Sequence, residues 1–210
     1  IVQSLVGSEM CIRDSNYTDM EHKWDEGFGY LYGLEGDNLS TAGSSPSGNG
    51  SLLMKYFKKV DEEGGYEPGI GQVVYDAFIM GRTAIVNKDY ELRDQQAAII
   101  KVELSKVIGY YAIHYMNDYV AKLEAGNVAS AHHSLSEAWG FLLSLQFTNN
   151  GNDEPFMDRS TVEYFLDNYM GDFHSVNPGV LTAPASAQYP GMIALVLQAF
   201  EANGVTLNIS

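Results

Sequence analysis

Two short polar groups in this chain combine imidazole with carboxylate at a spacing of one helical turn. In His22-Lys23-Trp24-Asp25-Glu26, the ends His22 and Glu26 stand four apart and Asp25 three from His22, so all three share a sector of one helix. An imidazole nitrogen can bind a metal of intermediate softness, and a carboxylate can add an oxygen ligand or orient the ring. In His132-His133-x-x-x-Glu137, His133 and Glu137 repeat the four-residue spacing, while His132 projects about 100° away from His133. Neither helix alone supplies enough ligands for a metal centre. Helices brought together could pool His22, Asp25, Glu26, His133 and Glu137 as a mixed metal-ligating set. Local His–carboxylate pairs are the other reading, and the residues leave both open.

Arg82 interrupts an apolar pattern, and a guanidinium taken out of water needs a carboxylate partner. Glu26 and Glu137 are candidate partners within the protein; a ligand carboxylate is the alternative. Arg82 and Trp24 are therefore the residues expected to touch a bound small molecule, against a plainer reading in which Trp24 and Phe28 enter the core. Gly27 and Gly29 would let a second helix or a ligand approach closely. His114 and the tyrosines Tyr110, Tyr111, Tyr115 and Tyr119 fit core and rim packing better than a cofactor box.

Several chemistries are excluded. Gly64-Gly65 and Gly69-x-Gly71 lack the spacing and preceding strand of a phosphate-binding loop. The chain contains no Gly-x-Ser-x-Gly nucleophile elbow and no His-Glu-x-x-His zinc motif. The acidic run Asp61-Glu62-Glu63 lacks the alternating ligands of a calcium loop.

The elements that must position these residues are helical. Residues 89–124 lack proline, contain glycine only at Gly109, and carry apolar residues at spacings of three and four, as in Ile100, Leu104, Val107, Tyr111 and His114. Such a span, apolar around much of its circumference, belongs in the middle of a bundle; Ala125-Gly126-Asn127 ends it. Thr18 with Glu21 forms a capping box opening a helix to about Gly33. Further helices are expected from Ile70 to before Asn87, over 128–147, after the Asp158-Arg-Ser-Thr161 stretch, and over 192–202. Residues 37–51 and 169–190 hold Gly, Pro, Ser and Asn in loop-forming density. Strand alternation is scarce, so the expected class is all-α.

Charge narrows the partners. The chain has 27 acidic and 12 basic residues, a net charge of -15, which repels nucleic acid and anionic lipid. No apolar run approaches the roughly eighteen residues that cross a bilayer. Residues 4–15 resemble a translated sequencing-adapter string. Residues 1–15 are accordingly read as non-native, with Cys11 spurious, and 16–210 as a single helical domain from the C-terminal part of a longer protein. With one cysteine at most, no disulfide framework forms.

Three segments carry a family resemblance: residues 21–30 (Glu-His-Lys-Trp-Asp-Glu-Gly-Phe-Gly-Tyr), Ala77-Phe78-x-x-Gly81-Arg82-x-Ala84-Ile85, and His132-His133-x-Leu135-Ser136-Glu137-Ala138-x-Gly140-Phe141. Together they resemble the imelysin-related bacterial family known as domain of unknown function (DUF) 4856. The resemblance implies an imelysin-like helical bundle, an exported, periplasmic or outer-membrane lipoprotein setting, and iron or zinc as candidate metals. The imelysin Gly-x-His-x-x-Glu pattern falls on Met20-x-His22-x-x-Asp25, and both departures weaken the transfer of metal binding and of proteolysis. The expected function is binding of a metal or small ligand at a His/carboxylate/Arg site between helices. The alternatives are an envelope scaffold that recruits a protein partner and, third, a zinc-dependent peptidase.

Overall fold

A computed structural model describes residues 17–32 and 52–209. The adapter-like segment with Cys11, Gly33 and the Gly/Ser-rich 37–51 stretch lie outside the described residues. Among those described, the chain is all-α: α1 (Asp19–Tyr32), α2 (Leu52–Asp61), α3 (Ile70–Val86), α4 (Tyr90–Glu124), α5 (Val128–Ser144), a 3-10 turn (Leu145–Phe147), α6 (Arg159–Tyr169), α7 (Pro178–Thr182) and α8 (Met192–Glu201). The chain divides into two compact units, residues 1–58 with 71–97 and residues 59–70 with 98–210.

In the first unit the capping box forms as the sequence predicts. The Thr18 N–H donates to Glu21 Oε2 at 2.5 Å, and the Glu21 N–H donates to Thr18 Oγ1 at 3.3 Å. Each bond satisfies a backbone or side-chain group that the start of α1 would otherwise leave to water. Leu31 and Tyr32 of α1, Met54 and Phe57 of α2, and Val74, Ala77 and Ala84 of α3 form the buried side. Helix α2 was not foreseen; Met54 and Phe57 repeat at a spacing of three, but so short an apolar run does not distinguish helix from strand.

In the second unit α4 carries most of the core. Tyr110, Tyr111, Ala112 and Ile113 are all buried, and four consecutive residues point in four directions about 100° apart, so this stretch is enclosed on every side. A Cβ on Gly109 would come within 2.9 Å of both Leu207 Cδ1 and Phe200 Cζ, so hydrogen at that position is what lets the C-terminal segment lie on α4. Phe200 stacks on Phe156 with centroids 4.0 Å apart. Gly126, at φ +75°, ends α4 at the predicted stop. In α5, Leu135, Ala138, Leu142 and the following Leu145 are buried along the anticipated seam. Asp158 caps α6 by accepting from the Thr161 N–H, so the helix starts at Arg159, inside the stretch expected to precede it. The short helix α7 interrupts the 169–190 connection, with Pro178 at its start and the Asn177 side chain capping Gly179.

Candidate functional site

The distinctive Glu21–Tyr30 segment faces α3 through a clamp and a wedge. Arg82 is the clamp: its Nε donates to Asp25 Oδ1 at 2.8 Å and its Nη1 to Glu21 Oε1 at 2.7 Å. Glu21 thus serves the helix cap with one oxygen and Arg82 with the other. These bonds hold its carboxyl below the usual range; the Thr18 backbone N–H contributes most, then the Thr18 hydroxyl, then Arg82. Partial burial works against the Arg82 charge, but the bonds from Asp25 and Glu21 outweigh it and raise its pKa. The partners expected from sequence, Glu26 and Glu137, are not the ones used. Glu21 and Asp25 stand one turn apart on the face of α1 turned to Arg82, and Glu26 is rotated off that face.

Trp24 is the wedge. Its indole N–H donates to the Phe78 carbonyl at 2.9 Å. A Cβ on Gly81 would sit 2.1 Å from the ring, so the side chain that is missing there makes the room the indole occupies. This assigns close approach to Gly81 rather than to the expected Gly27 and Gly29. A Cβ at Gly27 would meet only Phe78, at 4.0 Å, and one at Gly29 nothing within 4 Å. Phe28 packs edge-on to Phe78 at 5.4 Å and against Tyr32 at 4.5 Å, so Trp24 and Phe28 both take part in helix packing.

His22 Nε2 lies 3.2 Å from Glu26 Oε1, and Tyr17 stacks on the imidazole. Glu26 Oε2 is buried without a hydrogen-bond partner. His133 Nε2 lies 3.9 Å from Glu137 Oε1, with the His133 side chain 72% exposed, a much looser pair. His132 turns away, as its position in the helix requires, and meets His174 edge-on at 4.9 Å. His22, Asp25, Glu26 and Arg82 belong to the first unit, His133 and Glu137 to the second. Among the described residues no group of three or more His, Cys, Asp or Glu is placed to hold a metal ion. Each His–Glu pair offers a metal two donors, short of the three protein ligands of a catalytic zinc centre.

A cleft of about 700 Å³ opens beside the clamp, lined by Thr18, Asp19, Met20, Lys23, Trp24 and Arg93. Arg93 Nη1 donates to Met20 Sδ at 3.2 Å, and its Nε lies 2.6 Å from Asp94 Oδ1. Lys23 and Arg93 were not among the candidate site residues, and Met20 entered only as the position where the imelysin glycine is replaced. Met20 and Lys23 share a helical face with Trp24, which was a legible signal; the placement of Arg93 was not.

The second unit holds a polar network that the sequence reading left unassigned. Lys106 Nζ lies 2.6 Å from Glu67 Oε1 and also contacts Glu103. The Tyr110 hydroxyl donates to Glu67 Oε2 at 3.0 Å and accepts from the Asn208 N–H at 3.1 Å. Nearby, Tyr66 stacks on Tyr110, and its hydroxyl bonds His114 Nδ1 at 2.8 Å. His114 is therefore a satisfied imidazole within the tyrosine cluster. Burial lowers its pKa despite the charge of Asp118.

A family model described as domain of unknown function (DUF4856) matches residues 7–177. No curated protein and no solved structure matches the chain. The residues after the matched region are nonetheless integral to the second unit, since Leu181, Met192, Val196, Phe200 and Leu207 are buried. No described helix is long and apolar enough to cross a membrane.

Proposed function

The chain belongs to the DUF4856 family, and from that premise we propose that it is a non-hydrolytic binding domain of an exported cell-envelope protein. Its ligand is a small anionic molecule taken at the cleft over Trp24. The observation that carries this reading is the division of labour in the first unit. Arg82 and the Trp24 N–H are already spent on holding α1 to α3, while Lys23 and Arg93 line an adjoining cleft. On this cleft Lys23 and Arg93 outnumber the one lining carboxylate, Asp19, in a chain of net charge -15, and a preformed wall spares the ligand the cost of ordering it. The export reading rests on the family resemblance, with which a scarcity of cysteine is compatible.

The test is intrinsic fluorescence of the full chain with Trp139→Phe, which leaves Trp24 as reporter, titrated with citrate. Saturable quenching that weakens at least tenfold in Lys23→Glu is expected; a flat titration of the parent overturns the reading. Fractionation of cells expressing the complete gene should recover the protein in the envelope, and a purely cytosolic product overturns the export reading.

A second reading has one specific observation behind it. The buried, unpartnered Glu26 Oε2 beside His22 is a donor pair that a cation, iron or zinc, would satisfy. Calorimetry with zinc and with ferrous iron tests it: His22→Ala should abolish any uptake by the parent, and no uptake by the parent refutes it.

A further inference from the structure

The methionines of this chain fall into two sets. Met54, Met116, Met157, Met170 and Met192 are buried, none more than 5% exposed. Met20 and Met80 are the exposed ones among the described residues, at 37% and 47%. Both belong to the first unit, Met20 in the first turn of α1 and Met80 on α3. Met20 meets a cation. Arg93 Nη1 donates to its Sδ at 3.2 Å, and both residues line the cleft over Trp24. A thioether is a weak acceptor, so this bond holds the guanidinium loosely. The Arg93 side chain is itself 24% exposed, which leaves it room to adjust to a changed partner.

From this placement we propose that Met20 is an oxidation switch of the cleft over Trp24: a hydroperoxide converts its thioether to the sulfoxide, whose oxygen then holds the Arg93 guanidinium. In the reaction a sulfur lone pair attacks one peroxide oxygen and the O–O bond breaks. The displaced oxygen takes up the proton that the transferred oxygen carried and leaves as water or an alcohol. Sulfur is oxidised by two electrons and the peroxide is reduced by two. Exposure directs the reaction to Met20 and Met80, because a buried sulfur meets the oxidant only when the fold opens.

The consequences differ at the two positions. Met80 is not part of the cleft lining, whereas Met20 lies against Arg93. A sulfoxide is polar where the thioether was apolar. Its oxygen accepts a charge-assisted bond from Arg93, of a kind roughly twice as strong as a neutral one. Oxidation therefore withdraws Arg93 from any anion in the cleft and leaves Lys23 facing Asp19 as the remaining lining charges. Sulfoxide reductases return such a product to the thioether, so the change is reversible. The effect on anions rests on the reading given for this cleft; the capture of Arg93 does not.

Titration of the full chain carrying Trp139→Phe with hydrogen peroxide, read by peptide mass spectrometry, tests the first step. Met20 and Met80 should oxidise at least tenfold faster than the five buried methionines, and Met20 reacting no faster than those overturns the proposal. The second step is read as the rate at which phenylglyoxal modifies Arg93. That rate should fall at least threefold once Met20 is oxidised. In Met20→Leu, which keeps Met80 and every other oxidisable residue, peroxide should leave it unchanged. Equal Arg93 reactivity before and after oxidation of the parent, or an equal fall in Met20→Leu, overturns the proposal. Citrate affinity should fall at least fivefold on oxidation of the parent but not of Met20→Leu, and affinity that oxidation leaves unchanged in the parent overturns it too. A parent that binds no citrate refutes the anion reading of the cleft alone, and the Arg93 reactivity then decides the switch.

Discussion

Arg82 in the first unit and Lys106 in the second are each a cation held between two carboxylates, yet their surroundings differ. The Arg82 side chain is 29% exposed, with its partners Glu21 and Asp25 at 14% and 52%, whereas Lys106 is 10% exposed, with Glu103 and Glu67 at 15% and 26%. Around Arg82 water shares the cost of keeping three charges, and Glu21 titrates below its usual range because it is well supplied with donors. Around Lys106 burial dominates and pushes the Glu103 carboxyl up, even though Lys106 and its bond pull the other way. Burial also opposes the Lys106 charge, and the bonds to Glu103 and Glu67 more than restore it. One charge pattern thus gives a surface clamp in the first unit and, in the second, a network whose members cannot be removed singly.

The largest effect should come from Lys106→Met. It leaves Glu103 and Glu67 without their cation in a poorly solvated place, and breaking such a pair costs about 3–5 kcal/mol, read from the shift of the urea midpoint. A loss below about 1 kcal/mol would show that water reaches the network and would erase the contrast with Arg82. Next come the glycines on which a ring rests, one in each unit. Gly81→Ala forces the indole, 2.1 Å from the new Cβ, off α3. Overpacking of this kind costs about 1–3 kcal/mol beyond a helix-propensity gain of up to about 1 kcal/mol. Gly109→Ala meets Leu207 and Phe200 at 2.9 Å, and the Leu207 tip can turn aside, so its melting temperature should fall less. The reverse order would mean that the Trp24 wedge yields more readily than the C-terminal segment.

The smallest effects belong to the clamp. Arg82→Met should cost about 1 kcal/mol or less, the scale of exposed pairs; a loss above about 3 kcal/mol would make the clamp the equal of the buried network. Acid should separate the two carboxylates in sign. Glu21, lowered in the folded state, contributes stability above its unfolded pKa of about 4.3 that is lost as pH falls through its lower folded value. Glu103, raised in the folded state, contributes stability fully present below about 4.3 and lost as pH rises through its raised value. Between about pH 5 and pH 3, Glu21→Gln should therefore lose stability less steeply than the parent and Glu103→Gln more steeply. Equal slopes would remove the distinction.

Local signals were well read from sequence. The Thr18–Glu21 box, the stop at Gly126 and the α5 seam involve residues within a turn or two of each other, where backbone geometry alone decides who meets whom. At the candidate site the sequence led Arg82 to carboxylates without naming the ones it meets. Arg82 does engage carboxylates, but those of Glu21 and Asp25, and the glycine that admits a close neighbour is Gly81. The network of Glu67, Glu103, Lys106 and Tyr110 went unassigned because Glu67 is far from the others in sequence and lies among turn residues.

What the sequence by itself determined is the all-α class, the ends of most helices and the face that each buries. Those follow from 3.6-residue periodicity, capping chemistry and the cost of exposing apolar surface. What only the tertiary structure decided is the pairing: Trp24 over Gly81, Arg82 between Glu21 and Asp25, Lys106 between Glu67 and Glu103. An apolar stripe tells which side of a helix turns inward but constrains weakly its rotation and its slide along a neighbour. A shift of one turn keeps the stripe buried while exchanging every polar partner, so those partners are set by the summed packing of side chains distant in the chain.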